Sequence, residues 1–317
     1  MNPFRLLSRG PLGTRAAAMK EKGATAAFLL TALFSMAALL CITAFLFAYG
    51  LPFIFRIGFP EFLLGRRWAP LADVPQYGIL PMIVTTLYVT ALSVVIGVVI
   101  GLFTAVFLYR FCPKNVASVL RQMIHLLAGI PSVIFGLFGM TVIVPFVRDY
   151  LSPTGVGYGI FSASLVLSVM ILPTVVSVSL DALHAVPESY FEGALALGAL
   201  PEEATFRIML PAAKSGVSAG IVLAVGRALG ETMAVIMVIG GSPEMPGSLF
   251  QSVRTVTANI AMGAMEMKGD PLSALIASGV VLFVFALLLN CSFAWLKGKK
   301  TRDKKIVQRG KQAHAHP

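Results

Sequence analysis

Residues 192–211 read EGALALGALPEEATFRIMLP, a stretch rich in small and polar residues that lies between two long apolar segments. Its first six residues predict a short helix whose small side chains leave a smooth face for a partner surface. Gly198 permits a positive φ where that helix ends, because a residue with a side chain is strained there. Pro201 is typical of the first turn of a second helix, and Leu210 with Pro211 is expected to stop that helix.

The composition places the chain in a membrane. Of the 317 residues, 57% are hydrophobic and only 12% are charged, and the mean hydropathy of +0.85 lies outside the range of a soluble domain. Six stretches are long enough to cross about 30 Å of hydrocarbon, and their all-round apolarity favours helices over barrel strands. We predict an all-α membrane protein with six transmembrane helices, at 24–49, 82–108, 124–147, 159–180, 216–239 and 272–296.

Basic residues are distributed unevenly about these helices. With the N-terminus inside, 18 of the 25 lysines and arginines fall on the inner side, which predicts a multi-pass membrane protein with both termini in the cytoplasm. The net charge of +11 then indicates contact with anionic membrane lipid and no nucleic-acid partner. The predicted regions are a basic cytoplasmic arm (1–23), the first transmembrane helix (24–49), an outward loop (50–81), a core of five transmembrane helices (82–296) with a cytoplasmic loop (181–214), and a basic cytoplasmic tail (297–317).

The third predicted helix contains Gly129, Pro131 and Ser132. Proline removes a backbone hydrogen bond, so we expect a kink or break at Gly129. In lipid, the carbonyls freed by such a break must face protein or water. Two interpretations stay open: the break lines a pore, or it is a packing kink filled by neighbouring helices. Elsewhere, glycines four residues apart predict close approach of helix backbones, either in a compact bundle or at a dimer interface, at 97 and 101, 216 and 220, and 226 and 230.

One pair of charges lies well inside a predicted helix. Arg227 and Glu231 are four residues apart, so on a continuous helix their side chains share one face. A guanidinium at this depth is costly unless it faces a cavity or a partner, and its paired donors suit phosphate oxygens. Either Glu231 only neutralises Arg227 in a packed ion pair, or Arg227 exchanges between Glu231 and a passing phosphate. We assign Arg227, Glu231 and the adjacent Thr232 to substrate translocation.

The spacing within 192–211 resembles the cytoplasmic EAA loop of ABC-importer permeases, although Gly193 stands where that family usually has alanine. The positions that carry the resemblance are Glu192, Ala194, Gly198, Ile208, Leu210 and Pro211. The resemblance implies that these residues dock into a groove of an ATPase subunit. The sequence has no Gly-x4-Gly-Lys-Ser/Thr phosphate loop, so ATP and Mg are expected on the partner ATPase, with no cofactor in this chain. We predict no catalytic and no metal-binding residues.

A narrower resemblance is to the C-type permease subunit of bacterial phosphate-specific ABC importers. The segments that carry it are WAP at 68–70, YGILP at 77–81, GIPSVIFGL at 129–137, RALGETMA at 227–234 and TANIA at 257–261. This resemblance implies a type I ABC-importer permease bundle that translocates inorganic phosphate, with Arg227 and Glu231 on the route. It also implies an A-type permease subunit, two copies of an ATPase and a periplasmic phosphate-binding protein as partners. The same resemblance places the chain in the bacterial inner membrane, with residues 50–81 as a periplasmic loop and 82–296 as the permease core.

Other functions stay open at this point. A permease for sulfate, molybdate or tungstate would share the same loop and the same intramembrane arginine. An ion-coupled carrier would need a proton relay of further intramembrane acids or histidines, for which His125 is almost the sole candidate. An intramembrane enzyme would need a metal-binding or nucleophilic group of residues, and no such group stands out.

Overall fold

The structure, a computed structural model, describes the backbone of residues 11–313 and the side chains of residues 23–292. Residues 1–10 of the predicted arm and 314–317 of the predicted tail lie outside the described residues. The helices and strands are α1 (Pro11–Ile57), α2 (Phe59–Leu64), β1 (Trp68–Ala69), β2 (Gln76–Tyr77), α3 (Leu80–Val106), α4 (Lys114–Ala128), α5 (Ser132–Phe138), α6 (Val144–Phe146), α7 (Ile160–His184), α8 (Ser189–Ala196), α9 (Pro201–Ala204), α10 (Leu210–Gly230), α11 (Met233–Ile236), α12 (Val256–Gly263) and α13 (Asp270–Ala313). Turns of π-helix extend or join these helices at Phe107–Phe111, Gly139–Ile143, Val147–Leu151 and Thr205–Met209.

Six helical segments within the described chain are long and apolar enough to cross a membrane, which confirms the predicted all-α fold with six spans. They are Gly23–Ile57, Leu80–Phe111, Ser132–Leu151, Ile160–His184, Pro201–Gly230 and Asp270–Ser292. The second, fourth and sixth agree closely with the predicted segments. The first continues through Pro52 to Ile57, because Phe53 and Ile54 are buried in a cluster with α2 and the hairpin.

The third span differs from its prediction. Helix α4 ends where Gly129 begins, and a new helix starts at Ser132 after Pro131, so the predicted break at Gly129 is confirmed. The predicted bounds of the span, 124–147, are wrong, however. Helix α4 ends at Ala128, ahead of Gly129 and Pro131, and the apolar span runs from Ser132 through two π-helical turns to Leu151.

The fifth span also differs. A continuous helical segment runs over Pro201–Gly230, so the helix begins within the predicted loop 181–214 and ends before the predicted limit at 239. Glu231 adopts an extended backbone with φ −69° and ψ 134°, and the short helix α11 follows. The loop between the fourth and fifth spans is correspondingly shorter than predicted.

Helix α7 packs against both α3 and α10. A Cβ atom placed on Gly97 would lie 2.7 Å from Ile171, and one on Gly101 would lie 2.8 Å from Val175. These distances are too short for real side-chain carbons, so the absence of side chains at both glycines lets α3 approach α7. The buried core of the bundle lies along this contact, since Ile171 and Val175 are fully buried.

The glycines of α10 form two pairs with different surroundings. A Cβ atom on Gly216 or Gly220 would meet α7, whereas one on Gly226 or Gly230 would meet nothing within 4 Å. The first pair therefore confirms the predicted close helix contact. The second pair is not used in contacts within the described chain.

The segment between the first two spans is folded. Strands β1 and β2 form an antiparallel hairpin in which Trp68 pairs with Tyr77, and Trp68 packs with Phe53 and Phe62 in a buried cluster. An ion pair of 2.6 Å joins Arg56 at the end of α1 to Asp270 at the start of α13. The hairpin thus lies against the ends of the first and last spans.

Candidate functional site

The loop after α7 is a helical hairpin with one buried and one exposed face. Phe191 and Ala194 of α8 lie in a cluster with Ala204 and Met209, so Ala194 holds the two arms of the hairpin together. Glu192 faces outward. Ala194 therefore does not contribute to the exposed face predicted for a partner, whereas Gly193 and Ala196 of the same helix are exposed.

Gly198 makes the turn of the hairpin. Its φ is +87°, which confirms the predicted left-handed conformation, and a Cβ atom there would meet nothing within 4 Å. The demand for glycine is thus purely conformational. The following helix begins at Pro201 as predicted, and the Leu200 N–H donates to Glu203 Oε2 at 3.5 Å.

Pro211 does not stop the second helix, contrary to the prediction. The chain forms a π-helical turn at Thr205–Met209, where the Leu210 N–H donates to the Thr205 carbonyl, and α10 then continues to Gly230. A proline within an α-helix lacks an N–H and clashes with the carbonyl four residues earlier. The wider turn accommodates Pro211 near the start of α10, so the loop and the fifth span form one continuous body.

Apolar side chains cover the outer face of the hairpin. Leu197 is 91% exposed and Leu200 is 63% exposed, and Ile208 is also exposed. In a loop predicted to lie on the cytoplasmic side, exposed apolar side chains of this size indicate a contact surface. We call this group, with Leu195 and Phe206, the loop patch.

The hairpin is tied to the second span by Arg110, a residue that the sequence analysis did not select. Arg110 Nη1 lies 2.7 Å from Glu188 Oε1, and its guanidinium lies over the Phe191 ring at 3.3 Å from the centroid. Glu188 precedes α8 directly. Both contacts join residues far apart in the sequence, which explains why no local pattern pointed to them.

Arg227 and Glu231 do not share a helix face, so that prediction is wrong. Glu231 lies beyond the end of α10, and its Oε1 accepts a hydrogen bond of 3.1 Å from the Ala234 N–H at the start of α11. This bond engages the Glu231 carboxylate at the start of α11. No ion pair joins the two residues among those of the described side chains.

Arg227 is exposed on the surface of the chain and forms no hydrogen bond or ion pair with any side chain in 23–292. Gly226 and Gly230 on either side of it leave open space. Thr232, assigned with it to translocation, makes a single long hydrogen bond of 3.4 Å to the Gly230 carbonyl. The guanidinium at the end of the fifth span is therefore available to a ligand or to another subunit.

A second polar group, also missed from the sequence, holds the segment after α11. Arg254 donates to the Gly241 carbonyl at 2.7 Å and to Asn259 Oδ1 at 3.1 Å. Burial lowers the pKa of the Arg254 guanidinium, although arginine stays protonated at any working pH. Thr257 Oγ1 donates to the Glu231 carbonyl at 2.9 Å, which links this group to the break after the fifth span.

The three residues of the predicted third-helix break lie together at the start of the third span. Gly129 and Pro131 are exposed and Ser132 is half-buried. The break separates α4 from the span and leaves these residues unpacked on one side. Whether they line a pore stays a prediction.

Comparison with known proteins identifies related chains. The family described as "Binding-protein-dependent transport system inner membrane component" matches residues 97–302. A probable ABC transporter permease protein, YqgH of Bacillus subtilis, is 37% identical over 85% of this chain and 88% of its own length. The phosphate transport system permease protein PstC of Mesorhizobium japonicum is 34% identical over 77% of this chain and 80% of its own length.

Solved structures show the same fold. A chain of a bacterial ABC transporter involved in the import of the acidic polysaccharide alginate superposes with a TM-score of 0.64 at 18% identity, covering 90% of this chain and 99% of that chain. The six-helix arrangement is therefore that of an ABC-importer permease.

Proposed function

Because the chain belongs to the family of binding-protein-dependent transport permeases, we propose that it is the membrane subunit of an ATP-driven importer of inorganic phosphate. It is a multi-pass inner membrane protein and a transport subunit. We assign phosphate as the transported solute because the chain is similar to phosphate transport permeases, such as that of Mesorhizobium japonicum, over most of both chains.

The partners follow from the division of labour in such importers. An ATPase supplies the energy and binds ATP and Mg, and a periplasmic binding protein delivers the solute. We assign a phosphate-binding protein to that second role, with an A-type permease subunit completing the membrane pore and two copies of the ATPase beneath it. Both termini and the helical hairpin face the cytoplasm in this arrangement, in line with the excess of basic residues on that side.

The loop patch is the surface that supports ATPase coupling. Its exposed leucines suit a hydrophobic groove, and Glu192, Ile208 and Pro211 lie on or beside the same hairpin. The continuous helical segment Pro201–Gly230 joins this hairpin to the fifth span without a flexible joint. A tilt of the hairpin by the ATPase would therefore move the end of the span that carries Arg227.

Arg227 supports anion translocation because it is exposed and has no carboxylate partner in the described chain. Its planar group offers paired donors to phosphate oxygens. Glu231 is engaged with the Ala234 N–H, so it does not neutralise Arg227 in this conformation. An exchange of Arg227 between phosphate and Glu231 would require the carboxylate to leave α11, which makes the break after Gly230 the moving part of the route.

Uptake of radioactive phosphate by vesicles with the complete complex tests the proposal. Excess unlabelled phosphate should compete, whereas sulfate, molybdate and tungstate should not. Arg227→Ala should abolish most uptake while the ATPase still co-purifies, and Arg66→Ala, which removes an exposed arginine outside the route, should leave uptake unchanged. Competition by sulfate or molybdate alone would reassign the cargo to another oxyanion, and normal uptake in Arg227→Ala would remove that residue from the route.

A further inference from the structure

A cavity of about 560 Å³ lies between the inner end of α3, helix α4 and the end of α7. Its lining includes Lys114, Arg121 and His125 of α4 and His184 of α7. None of these residues belongs to the helical hairpin or to the break that carries Arg227. The cavity opens at the end of the bundle that also holds the hairpin.

Helix α4 turns its charged face towards this cavity, packs Ala117, Leu120 and Ile124 against the bundle, and directs a further apolar stripe away from it. Val116, Val119, Met123 and Leu126 are all exposed, and their spacing of three and four residues places them along one stripe. The cavity-lining residues occupy the other side. The stripe is directed away from the bundle, so it is available to lipid, and the polar face borders the cavity.

The nitrogen atoms in the cavity are incompletely paired. Arg121 Nε is buried and has no hydrogen-bond partner, and its Nη2 lies 3.4 Å from His184 Nε2. His184 Nδ1 lies 2.8 Å from the Leu180 carbonyl. Because a carbonyl oxygen can only accept a hydrogen bond, Nδ1 carries the proton, and Nε2 accepts a hydrogen bond from Arg121. A buried guanidinium donor without a partner is costly unless a ligand or water satisfies it.

Negative charge is scarce around these cations. Asp181 is the carboxylate that lines the adjoining cavity of about 90 Å³, which Arg121 and His125 share. No ion pair within 4 Å involves Lys114 or Arg121 among the described side chains. One carboxylate at the side does not balance two fixed positive charges, so the site favours an anion.

We propose that this cavity binds a phosphate group, either as inorganic phosphate or as the headgroup of an anionic phospholipid. Arg121 offers a fork of donors to two oxygens and Lys114 offers a point charge. The volume accepts a phosphate ion with water or a whole headgroup. The exposed apolar stripe of α4 provides the surface along which acyl chains of a lipid would lie.

A bound anion would join α4 to α7 across the cavity. Helix α7 leads directly into the hairpin, and Tyr109 of the cavity lining donates a long hydrogen bond of 3.4 Å to Glu188 at the start of the hairpin. Occupancy of the cavity therefore bears on the position of the loop patch. Binding can be measured in the absence of the ATPase and of transport, so it fails or succeeds independently of the cargo proposed above.

Cys112 provides a reporter because it lines the cavity, whereas the other cysteines, Cys41 and Cys291, are exposed elsewhere. In the full chain carrying Cys41→Ser and Cys291→Ser, the rate of alkylation by a charged maleimide is measured in nanodiscs. One arm titrates inorganic phosphate against chloride at constant ionic strength in phosphatidylcholine. The other arm replaces phosphatidylcholine with phosphatidylglycerol in the absence of phosphate, and native mass spectrometry counts the retained lipid.

A saturable slowing in the first arm identifies inorganic phosphate, and slowing with retained phosphatidylglycerol in the second identifies a lipid headgroup. Arg121→Gln should weaken either effect by roughly tenfold or more, since a charge-assisted hydrogen bond is lost. Arg207→Gln removes an exposed arginine of the hairpin and should change neither. The proposal would be overturned if neither phosphate nor phosphatidylglycerol slowed alkylation and no phosphatidylglycerol were retained. It would also be overturned if the Arg121→Gln chain, at normal thermal stability, were protected from alkylation as well as the parent chain.

Discussion

Replacement of Gly198 by alanine should weaken ATPase binding through backbone strain alone. Gly198 has φ +87° and open space around the position of its missing Cβ, so no clash contributes. A left-handed conformation costs an alanine about 1–2 kcal/mol. If the turn relaxes to avoid that cost, the docked conformation of the hairpin becomes less populated, and the affinity for the ATPase should fall by about 5- to 30-fold.

Gly193→Ala is the matched control. Gly193 also has nothing within 4 Å of its missing Cβ, but it lies within α8 at an ordinary helical φ. Alanine there should stabilise the helix by up to about 1 kcal/mol and leave binding unchanged or slightly tighter. The affinity of the purified ATPase for the permease in nanodiscs, measured by biolayer interferometry, separates the two. Equal affinities for both variants would refute the claim that the turn geometry at Gly198 sets the docking surface.

Three further predictions concern packing and polar contacts. Gly101→Leu should lower the midpoint of thermal unfolding by several degrees, because its Cβ would lie 2.8 Å from a side chain of α7 and overpacking costs about 1–3 kcal/mol. Gly226→Leu places the same side chain in open space and should leave the midpoint unchanged. Equal midpoints for the two variants would contradict the packing of α3 against α7. Arg110→Gln should weaken ATPase binding by about three- to thirtyfold, because the ion pair and the cation–π contact together contribute about 0.7–2 kcal/mol. An unchanged affinity would show that these contacts do not position the hairpin. Arg254→Gln should accelerate limited proteolysis of the segment 241–253. Arg254→Lys should not restore protection, because an ammonium cannot replace the two hydrogen bonds that the guanidinium donates to the Gly241 carbonyl and Asn259. Full protection in the lysine variant would refute this role of the guanidinium.

Much of the fold could be predicted because long apolar runs in a sequence indicate membrane-spanning helices. Glycines at 97 and 101 also predicted a close helix contact, since helices in lipid approach closely where side chains are small or absent, but they did not indicate that the partner is α7. Gly198 was predictable for a similar reason, because only one residue type tolerates its φ. Each of these signals is local and has a single physical cause.

The errors arose where tertiary contacts override a local rule. Pro211 was expected to stop a helix, but a π-helical turn accommodates it. Arg227 and Glu231 were placed on one face by assuming a continuous helix, but the Glu231 carboxylate binds the Ala234 N–H and its carbonyl accepts from Thr257. The second of these partners lies on a distant segment, and no periodic pattern in the sequence announces it.

The site was predicted in part. The hairpin and Arg227 were identified from residue types, whereas Arg110, Glu188 and Arg254 were not. The contacts of Arg110 with Glu188 and of Arg254 with Gly241 join positions that are separated in the chain and form only when the helices pack. Ala194 was selected correctly as part of the hairpin, but its side chain is buried between the two arms and does not face outward.

The most direct test of the account is phosphate uptake by proteoliposomes that contain this chain with an A-type permease, the ATPase and the phosphate-binding protein. We expect labelled phosphate to accumulate only when ATP and the ATPase are both present. Disruption of the loop patch by Leu197→Asp with Leu200→Asp should abolish uptake. Accumulation driven by an ion gradient without ATP or the ATPase would contradict it, because the chain would then be an autonomous carrier.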